Sequence, residues 1–456
     1  MTAQPPRFVT GSLMRHVVVM AGTGAIGLVA IFAVDLINLL YISMLGEQAI
    51  AAAVGFAGVV GFFMLSLFIG LLIGVTATVS RTIGAGRMAD ARGIATSSLV
   101  LVAAIAAVVS GLTLVFLEPL LHLLGARDRI LELAQRFLHI SLPSTVMLGV
   151  GMVCSALLRS VGDARRAMMV TLLPAVVTAM LDPLFIFVFN LGLDGAAIVV
   201  VIARTVLFSV GLYGAWHVHH LLARFDSSRL GADARLLSVV AGPAVLTNLA
   251  TPVAAAFVTH SVATFGVSAV AGQATIERLT PVAFGLIYSL SGAVGPVFAQ
   301  NLGAKRFDRV RDSLRASLVF MVGSVALAWL LLALLQGPLI RVFSLDGLAA
   351  QMVHAFCSWL AASFFFYGRA VCRQCRVQQP GATPVVDRLQ LGKGYAGNHP
   401  LCLVGRALRS GGGAGWSGGR GGHFWVPGAG QRLLAHQRPW RTQGISHRHQ
   451  LIEIQT

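Results

Sequence analysis

The chain has 456 residues, of which 56% are apolar and only 11% charged, with a formal net charge of +17. A soluble protein typically carries about a quarter charged residues to cover its surface. The composition therefore excludes a large water-soluble domain and assigns the chain to the lipid bilayer.

Taken in chain order, apolar stretches near the ~20 residues that a membrane helix needs fall at about 15–44, 50–80, 93–117, 137–158, 166–189, 195–220, 236–263, 268–298, 314–337 and 348–368. There are too many for a signal peptide followed by a soluble domain. Several hold proline, among them Pro174, Pro183, Pro243, Pro252, Pro281 and Pro296. Membrane helices tolerate these where neighbouring groups satisfy the freed backbone atoms.

The loops alternate in charge. Arg81, Arg87 and Arg92 follow the second stretch, and Arg159, Arg165 and Arg166 follow the fourth. Arg224, Arg229 and Arg235 follow the sixth, and Lys305, Arg306, Arg309, Arg311 and Arg315 the eighth. The other loops carry Glu47 alone, a balanced 118–136, Asp194 alone, no charge near 264–267, and Arg341 with Asp346. Basic loops stay in the cytoplasm, which predicts a multi-pass protein of the bacterial inner (plasma) membrane with a cytoplasmic N-terminus. Topology thus accounts for the positive charge of residues 1–368, and no nucleic-acid partner is expected.

The chain also repeats itself. SRTIGAGRMADARGIATSSLV (80–100) aligns with AQNLGAKRFDRVRDSLRASLV (299–319) at an offset of 219, matching Gly84 with Gly303, Arg87 with Arg306 and Arg92 with Arg311. Six spans separate corresponding elements, so the halves share one orientation and form parallel repeats about an axis along the membrane normal, an arrangement that places a site between halves.

A second half of equal length would end near residue 440 with six spans, but the apolar pattern stops near Tyr367. Residues 369–456 are basic and rich in Gly and Arg, with a net charge of +10. Three readings are open: a disordered cytoplasmic tail, a zinc site built on Cys372 and Cys375 with later His and Cys, or a shifted reading frame. The 32 Arg against 2 Lys of a GC-rich gene favour the third. Resequencing the codons for 365–372 without finding an insertion or deletion would sink it. Five cysteines, three of them in this tail, give no disulfide framework.

Charge inside a span costs a few kcal/mol or more, so each instance needs a reason. Asp35 lies in the first stretch, with Asn38 and Tyr41 near the same face one and two turns on. Asp182 lies in the fifth, directly before Pro183. These carboxylates are either structural, bonded to a neighbouring helix, or a pair that binds a proton or coupling ion; a desolvated carboxyl group can load and release a proton near neutral pH. Glu277 and Arg278 are adjacent in the eighth stretch and point to different faces. No Walker loop, and no constellation of nucleophile, base and metal, appears, so neither ATP hydrolysis nor enzyme chemistry is expected.

The stretches VSRTIGAGR (79–87), LRSVGDARRAMM (158–169), LDPLFIF (181–187), GLDGAA (192–197) and SGAVGPVFAQNLGAKRFDRVR (291–311) resemble the multidrug and toxic compound extrusion (MATE) transporters over about residues 10–368. The resemblance implies an all-α polytopic fold of two six-helix lobes. Here that gives an N-lobe at 1–222, an inter-lobe loop at 223–235, an incomplete C-lobe of about four helices at 236–368, and the aberrant tail at 369–456. It implies a monomeric antiporter that exports cationic, amphipathic small molecules against H+ or Na+ by alternating access, with no cofactor beyond the coupling ion. The family's N-lobe acidic residues match Asp35 and Asp182. An Asn common one turn before LDP is replaced by Thr178, and a Thr common after the GxxGAA turn by Val200. No acidic residue stands in 236–263, where Asn248 and Thr251 are the polar candidates, joined by Glu277 further on. This pattern is similar to the DinF-like branch. Two alternatives remain open, a lipid-linked saccharide flippase using Arg204 and Arg278, and an inactive truncated remnant.

Overall fold

The computed structural model describes residues 6–44, 47–343 and 345–368, all within one compact unit. The zinc, disordered-tail and reading-frame alternatives for residues 369–456 lie outside the described residues. Thirteen α-helices and no strands occur among those described. The first half contains α1 (Leu13–Met44), α2 (Gln48–Gly84), α3 (Met88–Val115), α4 (Leu117–Leu124), α5 (Asp128–Ser141), α6 (Thr145–Ser160), α7 (Ala164–Pro183) and α8 (Gly192–Tyr213). The second contains α9 (Ser227–Ala263), α10 (Val267–Ala283), α11 (Gly285–Gly303), α12 (Phe307–Val342) and α13 (Gly347–Ser358).

Eight segments are long and apolar enough to cross a membrane singly, and two bent pairs bring the total to ten, in the places read from the sequence. One pair, Ser268–Ala283 with Gly285–Gly303, bends by 49°. Pro281 sits just before that break, where its missing N–H removes a helical hydrogen bond. The other, Gly347–Ser358 with Leu360–Gly368, bends by 48°. The fourth span contains a break that the sequence reading did not resolve. There a 3-10 turn with Pro143 joins the amphipathic α5 to α6. Large apolar side chains face outward along the spans, including Leu246, Val253, Phe257, Leu330 and Leu334, each more than half exposed. An apolar exterior of this extent is what lipid requires.

The repeat seen in sequence is also a repeat in backbone. α2 and α11 end on Ala85 (φ −75°, ψ 1°) and Ala304 (φ −75°, ψ 0°). Each is followed by a left-handed residue, Gly86 (φ 77°) and Lys305 (φ 57°). The halves meet where α2 packs on α9 and α11 and where α1 packs on α11. Arg159, read from the sequence as a loop residue, instead closes α6 with its guanidinium against Gly292 of α11.

Candidate functional site

The parallel helices α1 and α7 share a long interface. Gly27 lies against Thr171, and Tyr41 meets Phe187 edge to face with ring centroids 5.9 Å apart. These two contacts give sequence offsets of 144 and 146 between the helices. The same register sets Asp182 level with Asn38 and, at about 1.5 Å of rise per residue, within roughly 5 Å of the level of Asp35. On α7, Thr171, Ala175, Thr178 and Asp182 recur at helical spacing, so Thr178 and Asp182 share the α1-facing stripe with Thr171.

Asp182 is 3% exposed, Asn38, Tyr41 and Thr178 are half-buried, and Asp35 is exposed. On α1, Asp35 projects from the side opposite the apolar groove lined by Gly22, Ile26, Ala33 and Leu286. Asn38 Oδ1 is buried and has no hydrogen-bond partner. Among the described residues, no ion pair includes Asp35 or Asp182. The arrangement is a set of oxygen donors with no built-in cation. An unpaired charge on a buried carboxyl is costly, so these oxygens are of the kind that could hold a proton or a small cation. The donor set thus fits H+ or Na+.

α7 does not continue as a regular helix beyond this site. Pro183 removes a backbone donor, and Leu184–Val188 forms a π-helical turn in which Phe189 N–H reaches the Leu184 carbonyl at 2.9 Å. π-turns of this kind concentrate at functional positions. The sequence showed Pro183 but not the change of helix type.

The second-half candidates do not form a comparable cluster. Asn248 donates from Nδ2 to the Ala244 carbonyl of its own helix at 2.8 Å. Thr251 is exposed, and the exposed Glu277 accepts from Gln273 Nε2 at 2.9 Å, one turn away. No hydrogen bond among the described residues joins Asn248, Thr251 and Glu277. Arg204 serves the α5–α6 break: its Nη1 donates to the Ser141 carbonyl (2.7 Å), Ser144 Oγ (3.0 Å) and Thr145 Oγ1 (3.3 Å). Arg278 is exposed.

Sequence reasoning missed Asp163. It caps α7 by accepting from Arg166 N–H at 3.1 Å, and it also accepts from Arg166 Nη1 at 2.6 Å and pairs with His219 Nε2 at 2.7 Å. Burial raises the pKa of its carboxyl, but the hydrogen bonds from His219 and Arg166 outweigh this and hold it below the usual carboxylate range. The signal was present as an Asp directly before a helix start.

Two packed, parallel repeats of apolar helices, with an oxygen-lined polar site inside one of them, define a polytopic membrane protein of the two-lobed transporter type. The MatE family model matches residues 25–184 and 243–386, one stretch in each half. The chain belongs to the MatE family. It is 34% identical over 330 residues to the FAD transporter of Shewanella oneidensis, covering 70% of this chain and 72% of that one. It is 23% identical over 371 residues to the probable multidrug resistance protein YpnP of Bacillus subtilis, covering 79% and 81%. Its fold is shared with the Vibrio cholerae MATE transporter VcmN (TM-score 0.77, 23% identity, 87% and 97% covered). A MOP superfamily transporter from Pyrococcus furiosus is similar as well (TM-score 0.78, 19% identity, 90% and 95% covered).

Proposed function

We propose that this MATE transporter is a secondary active antiporter, working as a monomer in the bacterial inner membrane with its basic end toward the cytoplasm. It exchanges inward H+, or Na+, for outward movement of a cationic or amphipathic small molecule. The observation that carries this reading is the buried Asp182 level with the orphaned Asn38 oxygen and next to the accessible Asp35. Binding a cation or proton at these three residues removes the charge penalty of the α1–α7 interface and favours one arrangement of that interface over another. A ligand drives a conformational change only through such differential affinity, and the coupling to cargo is reciprocal.

A second reading concerns cargo. The relative at 34% identity is named an FAD transporter, which favours an anionic dinucleotide over a cation. The flippase alternative is weakened, because Arg204 is committed to Ser141, Ser144 and Thr145. The remnant alternative is tested by the same assay on the chain as it stands. Proteoliposomes carrying the full chain and an imposed proton gradient are offered ethidium or FAD. Gradient-driven movement of ethidium that falls at least tenfold in Asp35→Asn supports the antiporter reading. Asp35→Asn with full proton-driven export would refute it, and movement of FAD alone would reassign the cargo.

A further inference from the structure

At the basic end, the segment leading into each half is held by the other half. Residues 6–12 precede α1, yet Phe8 is 1% exposed and packs with the core of the second half. Its N–H donates to Gln300 Oε1 at 3.0 Å, and its carbonyl accepts from Asn301 Nδ2 at 3.1 Å and Arg309 Nη2 at 3.3 Å. Arg306 Nη1 donates to the Val9 carbonyl at 3.0 Å. Arg309 Nη2 also reaches the carbonyls of Thr10 (3.3 Å) and Gly11 (3.0 Å). Toward the first half the segment has fewer ties: Arg7 Nη1 donates to the Gly162 carbonyl at 2.8 Å, and Gly162 packs against Arg7 and Phe8. Gln300 joins both sides, since its Nε2 donates to the Ser160 carbonyl at 2.6 Å.

The counterpart, 219 residues on, is 225–231, most of it already in the first turn of α9. Arg229 is the repeat mate of Thr10, and Asp90 is the mate of Arg309. The two form an ion pair at 2.9 Å, with side chains 44% and 39% exposed. An exposed pair of this kind contributes little. The same pseudo-twofold contact is therefore made twice with different chemistry, once as an exposed ion pair near the buried Ser97–Asp233 hydrogen bond (2.6 Å) and once as a buried aromatic with its carbonyls held by Asn301, Arg306 and Arg309.

We infer that Pro6–Ser12 is a latch that keeps the basic end of the two halves closed. It is carried by α11 and α12 and leaves the Ser160–Asp163 turn when that end opens. The asymmetry of the bonds sets which side lets go. Four carbonyls of the segment are held by the second half, while beyond its chain link into α1 the tie to the first is one Arg7 hydrogen bond and the edge of Phe8. The latch's part in transport rests on the antiporter reading; its hold on the closed form does not.

Pulsed electron–electron resonance tests it on the full chain in liposomes, with the five native cysteines replaced and nitroxides attached at Met88→Cys and Phe307→Cys, exposed mates at the basic end. The parent should give one dominant short distance. Phe8→Ala should raise the longer-distance population on the order of tenfold, with Arg7→Ala raising it less and Asp90→Asn least. Phe8→Ala and Arg7→Ala distributions that superimpose on the parent would overturn the latch. If Phe8→Ala does not fold, Arg7→Ala and Gln300→Ala, compared with Asp90→Asn, decide the question alone. Distances that shift in a chain whose export ignores the proton gradient would remove the antiporter reading and leave the latch. Gradient-driven export with unmoved distances would do the reverse.

Discussion

Gly84 and Gly303, repeat mates at an offset of 219, pack reciprocally across the seam between the halves. A Cβ on Gly84 would sit inside the Gln300 carbonyl, and a Cβ on Gly303 inside the Arg81 carbonyl. Arg81 and Gln300 are themselves mates at the same offset. The pseudo-twofold axis therefore passes between the ends of α2 and α11, and only hydrogen side chains permit that approach. Gly84→Ala and Gly303→Ala should each cost about 1–3 kcal/mol in the closed form. The double variant should cost less than the sum, because the first methyl already spreads the helices. Thermal unfolding in detergent checks this, and additive or absent effects would contradict the close seam.

The turn after each of these helices offers a cleaner comparison. Gly86 and Lys305 hold the same left-handed position, and Lys305 carries a side chain there at φ 57°. Lys305 is exposed. Lys305→Gly should therefore stabilise by about 0.5–1 kcal/mol, while Gly86→Ala destabilises by about 1–2 kcal/mol. A destabilised Lys305→Gly in denaturant titrations would show that the Lys305 side chain matters more than its backbone.

Asn38 and Asp182 provide a test of the polar site that leaves Asp35 intact. Asn38→Ala removes the orphaned oxygen with the rest of the carboxamide at a half-buried position, so the chain should fold while its apparent affinity for the coupling ion falls about tenfold. Asp182→Asn should abolish coupling, because it leaves no exchangeable charge at the buried position. Export by Asp182→Asn that still tracks the gradient would place the coupling elsewhere.

Asp163 predicts a particular acid sensitivity. Its carboxyl is held below the usual range in the folded chain, so its contribution is fully present above the ordinary Asp pKa of about 3.9 and is lost as pH falls through the lower folded value. Asp163→Asn keeps an oxygen for the cap but loses the charge facing Arg166 and His219, and should cost about 1 kcal/mol at pH 7. Unfolding midpoints of parent and variant should converge as the pH falls through the lowered folded-state value. A gap that stays constant with pH would mean that the carboxylate charge is not what matters.

Arg204 should be structural. Arg204→Met keeps the stem but removes the donor shared by the Ser141 carbonyl, Ser144 Oγ and Thr145 Oγ1 at the α5–α6 break, leaving that carbonyl the Ser144 hydroxyl at 2.6 Å, for about 1 kcal/mol. Lower stability with an unchanged Km for cargo is the expected result. A changed Km at unchanged stability would return Arg204 to the transport path.

The membrane class, the ten spans, the 219-residue repeat and the two intramembrane carboxylates were all legible in sequence, because lipid enforces length, apolarity and rarity of charge locally along the chain. Asp35 and Asn38 stood on nearby faces of one helix by spacing alone. Their relation to Asp182 did not, since it depends on the register of α1 against α7, which Gly27, Thr171, Tyr41 and Phe187 fix through packing. Arg204 could be read as a cavity cation until its carbonyl partner came from a break 63 residues away in sequence. Asp163 carried no signal beyond its place before a helix start, and only the fold brings His219 and Arg166 onto it.

The opening inference from composition therefore extends only so far. Sequence by itself determined the solvent, the span count and the presence of two similar halves, since each follows from residues near one another in the chain. Tertiary structure decided how those halves meet: through Gly84 and Gly303, with Phe8 buried in the opposite half. Those contacts join residues more than 200 positions apart, and their strength comes from close approach and satisfied buried carbonyls, which no local pattern encodes.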